Sequence, residues 1–161
     1  MRMGSRVAVD VGKARIGLAR CDPHGLIATP VETVPRDAGG SADIRRILEV
    51  AAEIDCVELV VGLPLALSGR ATASTEDAEG FARRLADATW TPVRLVDERL
   101  STVSAQSALR SSGRGSRKQR PVIDQAAAVI ILQHALESER TAGSPPGALV
   151  PRNRVDPDRH A

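Results

Sequence analysis

The fold is decided by Arg6-Val-Ala-Val-Asp-Val-Gly-Lys-Ala-Arg-Ile-Gly-Leu-Ala-Arg-Cys-Asp22, a stretch that predicts a β-hairpin. Val7, Val9 and Val11 alternate with small or polar residues, the period-two pattern of a half-buried strand. Asp10 stands among these valines, although aspartate is disfavoured in strands. A buried carboxylate needs compensation, so Asp10 is either hydrogen-bonded locally or serves as a metal ligand or catalytic acid.

The composition is that of an ordinary globular domain. The chain has 161 residues, 42% of them hydrophobic and 26% charged, with a formal net charge of +2. This length suits one domain with a good-sized core. The only Phe, Tyr or Trp residues are Phe81 and Trp90, so base stacking on such side chains cannot be the main mode of nucleic-acid binding.

The cysteines and the apolar segments of the sequence indicate the cellular compartment. Cys21 and Cys56 fit neither a disulfide framework nor a metal-site spacing, which favours free thiols. No apolar run reaches the length of a membrane span, and no leader-like segment opens the chain. We therefore expect a cytoplasmic protein without a membrane partner.

The chain after the hairpin alternates between strand and helix patterns. In chain order, the predicted elements are a strand over 26–34, a helix capped by Ser41, a strand over 57–61, a helix over 72–89, a strand over 93–96, a helix capped by Ser101 or Thr102, and a helix over 121–139. Tight turns make strands antiparallel, and helical crossovers make them parallel. The order predicts an α/β fold: a mixed five-stranded sheet, with three antiparallel strands and then two parallel ones, and helices on both faces.

The periodic pattern ends near residue 139. Pro, Gly and Arg dominate beyond that point. We therefore predict one domain over 1–139 and a disordered tail over 140–161.

Three acids are predicted to converge at one end of the sheet. Asp10 lies late in the first strand, Glu98 follows the strand over 93–96, and Asp124 begins the apolar stripe of the last helix. Each has an ordinary explanation alone: Glu98 could pair with a nearby arginine, and Asp124 suits the first turn of a helix. Together, close carboxylates repel unless a cation lies among them. Oxygen ligands suit Mg²⁺ or Mn²⁺, and two such ions about 4 Å apart would support phosphodiester cleavage.

Four stretches resemble the YqgF/RuvX family of the RNase H-like superfamily. They are VAVDVGKARIGLA around Asp10, VVGLPLALSG at 60–69, DERLST at 97–102 and VIDQAAAVIILQ at 122–133. The resemblance implies an RNase H-like metal-dependent nuclease that acts on pre-16S rRNA or on Holliday junctions, a branched DNA. It makes Asp10, Glu98 and Asp124 the catalytic and metal-binding acids. Junction resolution needs two symmetric cuts, which would require a homodimer. Ala66 departs from the polar residue often found in the second stretch.

Basic residues around these acids are candidates for binding the substrate backbone. Lys13 and Arg15 lie in the hairpin turn, and the loop over 62–70 leads to a helix N-terminus that suits a phosphate. A second set shares one acid-free, Gly/Ser-rich segment just before Asp124 and comprises Arg110, Arg114, Arg117, Lys118 and Arg120. Both sets are expected either to contact phosphates or to be solvated loop charges.

Two other functions compete with the nuclease reading. Sugar kinases and actin-like ATPases also bind phosphates with an Asp-x-Gly hairpin, but they need two domains, and the chain has no GxxxxGK[ST] motif. The alternative is a non-catalytic nucleic-acid-binding module on an RNase H-like fold. A metal-dependent cleavage assay separates this module from a nuclease.

The basic segment generates the first testable prediction. Replacing Arg114, Arg117 and Lys118 with Ala should weaken nucleic-acid binding and reduce the log–log salt slope by roughly 2 to 3 units if all three contact phosphates. The loss should be similar for all base sequences, because backbone contacts carry no base code. Binding isotherms at several salt concentrations measure both quantities. Wild-type affinity and slope in the triple variant would make the segment a solvated connector.

Overall fold

The computed structural model describes residues 1–99 and 120–152, except for the side chains of residues 120 and 121. Within these ranges the elements are β1 (Arg6–Val11), β2 (Arg15–Cys21), β3 (Ala28–Pro35), α1 (Ala42–Glu53), β4 (Glu58–Leu63), α2 (Ala73–Asp87), β5 (Val93–Asp97), α3 (Arg120–Ala142) and β6 (Ala148–Leu149). The helix predicted to start at Ser101 or Thr102 lies outside the described residues.

The strands form one mixed sheet in the order β3-β2-β1-β4-β5-β6. The first three strands are antiparallel, whereas β1, β4 and β5 run parallel. Helices α1 and α2 pack on one face of the sheet and α3 packs on the other. The predicted mixed α/β fold with helices on both faces is therefore confirmed.

The sheet has six strands where the sequence predicted five. Strand β6 pairs antiparallel with β5, the Val150 N–H donates to the Val93 carbonyl at 2.8 Å, and Val150 is only 5% exposed. Gly147 turns the chain back with a φ of +63°. The structured part thus extends past residue 139, which differs from the disorder predicted for residues 140–152. The rest of the predicted tail, over 153–161, lies outside the described residues. A two-residue strand has no periodicity of its own, so the sequence carried no signal for it.

Strand β1 sends its two sets of side chains to opposite faces, as the alternation predicted. Val7 and Val9 are fully buried in the core under α1 and α2. Ala8 is buried in the second core, under α3. By the same alternation Asp10 faces α3, two residues along from Ala8. The face that carries the acid is therefore the face that the last helix covers.

Strand β3, which contains Pro30, lies at one edge of the sheet. It is the outermost strand on its side of the sheet. Its pairing with β2 shifts between Leu18 and Ala19, which face Glu32 and Pro30, so Val31 is the extra residue of a bulge. An edge position leaves the missing N–H of Pro30 without consequence.

The cap predicted for α1 differs from the structure. Ser41 occupies the N-cap position but accepts no hydrogen bond through its side chain. The Asp37 carboxylate accepts from the Ala42 N–H instead, at 3.0 Å. Helix α2 does have a side-chain cap, because the Thr72 hydroxyl accepts from the Thr75 N–H in a capping box.

A buried charge network fixes α3 far from Asp124. Glu139 near the end of the helix and Glu58 at the start of β4 are 2% and 1% exposed. Arg2 bonds both carboxylates, Arg6 donates to Glu139 at 2.8 Å, and Arg94 donates to Glu58 at 3.0 Å. Burial would raise the pKa of Glu139, but the hydrogen bond from Arg2 and the charge of Arg6 hold it below its usual range. Each buried charge therefore has partners, as stable burial requires.

None of the helices in the described ranges has the length and apolar character needed to cross a membrane. Both cysteines are free thiols. Cys21 is buried and Cys56 half-buried, and burial raises the pKa of Cys56 to about 11. At neutral pH the Cys56 thiol is therefore almost entirely protonated.

The docked segment after α3 generates a prediction about stability. Replacing Val150 with Ala removes buried methyl groups from the core and should lower the free energy of unfolding by about 2 kcal/mol. Leu149→Ala is the matched control, since Leu149 is 58% exposed and should have little effect. Urea denaturation of both variants measures the difference. Equal stabilities would mean that the segment does not dock in solution.

Candidate active site

The candidate site lies at the carboxyl edge of the three parallel strands. Asp10 is near the end of β1, and Glu98 directly follows the end of β5. The end of β4 lies between them in the sheet order. Ligand sites of open α/β sheets form at this edge, because the loops there leave the sheet together.

Asp124 reaches the site because α3 crosses β2 at a glycine. Gly17 lies opposite Asp10 in the hairpin register. A Cβ atom on Gly17 would lie 2.0 Å from the Asp124 carbonyl oxygen, so only glycine permits this approach. A second contact is the bond from Gln125 Nε2 to the Thr33 hydroxyl, at 3.0 Å. The helix thus begins against β2 and β3, with its acid beside Asp10.

Glu98 is buried against the end of β4. Its N–H donates to the Leu63 carbonyl at 3.1 Å, and the residue is only 6% exposed. Gly62 makes room for the side chain: a Cβ there would lie 2.7 Å from Glu98 Cδ and 2.6 Å from Ile131 Cδ1. Gly62 therefore admits both the acid and the apolar stripe of α3 to one point of the sheet.

The three predicted acids lie near enough for their charges to interact. Burial raises the pKa of the Asp10 carboxyl well above its usual range. The charges of Glu98 and then Asp124 raise this pKa further, as does a hydrogen bond with the Glu98 side chain. A hydrogen bond between two carboxyl groups requires a proton on one of them. Burial and the neighbouring carboxylates therefore both favour the protonated form of Asp10 in the folded protein.

Among the described residues, Arg15 forms an ion pair with one of these acids. Its Nε lies 2.9 Å from Asp124 Oδ2, with the two side chains 33% and 19% exposed. Over the described ranges, no three acid, histidine or cysteine side chains are already grouped closely enough to ligate one ion. The Asp124 carboxylate is engaged by Arg15 rather than turned onto a common point with Asp10 and Glu98.

The other predicted substrate-binding residues are placed only in part. Lys13 is exposed in the hairpin turn, where its charge adds to the hydrogen bonds from Arg36 in lowering the pKa of Asp77. Arg120 is the first residue of α3, one turn before Asp124. The remaining four residues lie outside the described part of the chain: Arg110, Arg114, Arg117 and Lys118. The N-terminus of α2, which the 62–70 loop approaches, carries the Thr72 cap.

Sequence reasoning missed Arg36, which holds the hairpin turn. Its guanidinium donates to the Gly12 carbonyl at 2.9 Å and to both oxygens of Asp77 on α2, at 2.8 and 3.0 Å. It also lies over the ring of Phe81, 5.2 Å from the ring centre. Nothing in the sequence spacing of Arg36 indicated these partners.

Sequence reasoning also missed Gly17 and Gly62, although a signal was present. An isolated glycine inside a strand pattern indicates a bulge or a close approach of another backbone. Gly17 stands between Ile16 and Leu18, and Gly62 follows Val60 and Val61. Gly17 lies where α3 contacts the sheet, and Gly62 lies where Glu98 and Ile131 contact it.

Comparison with known families and proteins gives consistent results. A family model described as "RuvX: Holliday junction resolvase" matches residues 4–138. A protein of Clavibacter sepedonicus named "Putative pre-16S rRNA nuclease" is 90% identical over the full length of both chains. A protein of the same name from Leifsonia xyli subsp. xyli is 60% identical over 91% of this chain and 94% of its own length.

Solved structures agree on the fold. Thermus thermophilus RuvC in complex with a Holliday junction substrate superposes with a TM-score of 0.54 at 17% identity. The superposition covers 89% of this chain and 99% of that chain. This likeness supports the predicted RNase H-like architecture.

The close approach at Gly17 generates a prediction. Gly17→Ala should push α3 off the sheet and lower the free energy of unfolding by about 3 kcal/mol, since overpacking a close contact is strongly destabilising. Gly80→Ala is the matched control. Gly80 lies within α2 with open space at its Cβ, so alanine there should raise stability by about 0.5–1 kcal/mol. Thermal and urea unfolding test both, and a Gly17→Ala variant as stable as the wild type would contradict the packing.

Proposed function

Because the chain belongs to the RuvX family, we propose that it is a metal-dependent nuclease whose Asp10, Glu98 and Asp124 hold Mg²⁺ or Mn²⁺ and hydrolyse phosphodiester bonds in structured nucleic acid. Membership rests on the family model, which spans residues 4–138, and on relatives 60% to 90% identical. The family and the names of these relatives support nuclease activity. Metal dependence and the identity of the ligands are our proposal.

The observation that carries the proposal is the meeting of three carboxyl groups from three separate elements. Asp10 comes from β1, Glu98 follows β5 and Asp124 belongs to α3. Burial, and then the charges of Glu98 and Asp124, raise the pKa of Asp10. A protein gains no stability from such an arrangement, which points to a charged ligand that offsets it.

The donor chemistry of the site fits a hard divalent cation. Carboxylate oxygens are the ligands that Mg²⁺ and Mn²⁺ prefer, and the three residues proposed as ligands are all carboxylates. The acids are near one another without forming a closed cage, and Arg15 neutralises Asp124. Asp10 and Glu98 would be the first two ligands of the ion. Asp124 would become the third ligand when its ion pair with Arg15 opens.

The residues of the chain divide the chemical work. A bound divalent ion supplies an activated water and stabilises charge on the leaving oxygen. Asp10 and Glu98 hold the ion, and their fixed positions in β1 and after β5 orient it against the substrate. Arg15 lies at the exposed rim, where its guanidinium suits a phosphate oxygen of the bound strand. Lys13 in the hairpin turn adds a second positive charge on the same side.

For the substrate we propose pre-16S rRNA rather than a Holliday junction. The relatives 90% and 60% identical to this chain carry the rRNA nuclease name, whereas the junction-bound neighbour shares the fold at 17% identity. Trimming an RNA end needs one active site, whereas symmetric junction cleavage needs a homodimer. Such a substrate places the protein in the cytoplasm. Side-by-side cleavage of a pre-16S rRNA 5′ fragment and a four-way DNA junction decides between them.

The proposed metal site generates a prediction. Asp10→Asn should abolish Mg²⁺- and Mn²⁺-dependent cleavage, because it removes a charged ligand while preserving size. Stability of the metal-free protein should not fall, since the raised pKa of Asp10 means that its ionised form is unfavourable in the folded state. Gel assays with purified protein and urea unfolding without metal measure the two effects.

A matched control and two further variants complete this test. Asp55→Asn makes the same chemical change at an exposed position after α1, and it should cleave like the wild type. Glu98→Gln and Asp124→Asn should match Asp10→Asn, and double variants should add little. If none of these changes affects cleavage by a well-folded preparation, the assignment is wrong. If the wild type binds but never cleaves, the chain is the non-catalytic module.

A further inference from the structure

A cavity of about 400 Å³ lies beside Glu98 and has no role in the proposed metal site. Among the described residues its walls come from Leu67, Asp97, Arg99 and His134. These residues belong to the loop after β4, the two positions that flank Glu98, and the middle of α3. The volume falls within the range of pockets that hold small organic groups, about 300–1,000 Å³.

Arg99 is held in one orientation within this cavity. Its Nε lies 2.9 Å and its Nη2 2.6 Å from Asp97 Oδ2, so the carboxylate grips one edge of the guanidinium. The other edge points to the loop: Nη1 would lie 3.2 Å from a Cβ on Gly69. No described residue accepts a hydrogen bond from Nη1, and a side chain at position 69 would press against this edge of the guanidinium. The side chain remains 34% exposed.

The charges of the cavity disfavour a phosphate. Asp97 neutralises Arg99, and the buried Glu98 stands between them in the chain. An additional phosphate would therefore meet a neutral or negative surface. A neutral ligand meets a planar guanidinium whose Nη1 donates to no described residue, an imidazole, and the apolar side chain of Leu67, which is 78% exposed.

Flat polar groups of this kind recognise unpaired bases. Single-stranded nucleic acid is bound by stacking bases on aromatic rings, including histidine, or on guanidinium planes. Phe81 is buried under the opposite face of the sheet and Trp90 lies before β5, under Arg152, so neither is beside the acids. His134 and Arg99 are the planar groups that the described part of the chain places next to Glu98.

We propose that this cavity, lined by Leu67, Asp97, Arg99 and His134, binds one unpaired nucleobase that flanks the cleaved phosphate. This inference rests on the proposed nuclease function and adds a substrate feature to it. Leu67 and His134 provide surfaces on which the base stacks, Arg99 Nη1 donates to an acceptor on the base edge, and Asp97 fixes Arg99. The substrate should therefore carry a single-stranded nucleotide next to the cleavage position.

The test measures binding without cleavage. The probe is a fluorescein-labelled RNA hairpin with a short single-stranded 5′ extension, together with a set in which one extension nucleotide at a time is abasic. Fluorescence anisotropy is recorded in buffer without divalent ions. Wild-type protein should bind one abasic probe about 5- to 100-fold more weakly than the intact probe, since stacking of one base supplies that much affinity.

The variants turn this into a thermodynamic cycle. His134→Ala should weaken binding of the intact probe by the same factor. This variant should bind the intact and the abasic probe with equal affinity. Leu67→Ser changes an exposed loop residue without risk to the core, and it should show the same pattern to a smaller extent. His24→Ala is the matched control at the other end of β2 and should bind both probes like the wild type.

Each other outcome contradicts the proposal. If the wild type binds every abasic probe with the same affinity as the intact probe, the cavity binds no base. If His134→Ala or Leu67→Ser loses the same affinity on intact and abasic probes, these residues contact the backbone or support the fold. Cleavage with Mg²⁺ is measured separately on the pre-16S rRNA fragment and the junction. Absence of cleavage would overturn the nuclease function alone, while the metal-free cycle still decides whether a base is bound.

Discussion

The close approach of α3 to the sheet at Gly17 is the constraint on which the rest of the structure depends. Gly17 pairs with Asp10 across the hairpin. The Asp124 carbonyl occupies the space that a Cβ on Gly17 would need. This one contact sets how deeply the helix lies on the sheet. It therefore sets how well Ala128, Ile131 and Leu132 fill the second core, and whether Asp124 comes near the other acids. An additional methyl group at Gly17 would disturb the packing and the site together, because they share a backbone contact.

The carboxylates at the two ends of α3 have different electrostatic surroundings. Near its C-terminal end, Glu139 is buried but bonded to Arg2 and Arg6. Near its start, Asp124 pairs with Arg15, while burial and the charge of Glu98 raise the pKa of Asp10. A fully paired network holds a helix in place, whereas neighbouring buried carboxylates repel one another. The bonded network around Glu139 fixes the helix, so Asp124 at the other end keeps its position near Asp10.

The sequence predicted much of the fold, because the strands and helices carry strong periodic signals. The alternation of Val7 and Val9 with Ala8 and Asp10 predicted both the strand and the separation of its faces. The sixth strand was missed, since two residues carry no period and Val150 is buried only through its pairing beside β5. The side-chain cap expected from Ser41 is replaced by Asp37, because local propensity does not show which acceptor tertiary packing brings to a helix end.

By itself, the sequence determined which residue types could form the site. It placed carboxylates at a strand end, after another strand and at a helix start, and it limited the candidate metals to those that prefer oxygen. Only the tertiary structure decided how these groups meet: Gly17 and Gly62 admit α3 and Glu98 to the sheet, and Arg15 pairs with Asp124. The same holds for the cavity, whose residues are separated by up to 67 positions, from Leu67 to His134. The reason is physical: periodicity reports which face of an element is buried, but distances between elements depend on side-chain volume and charge at contacts that are remote in sequence.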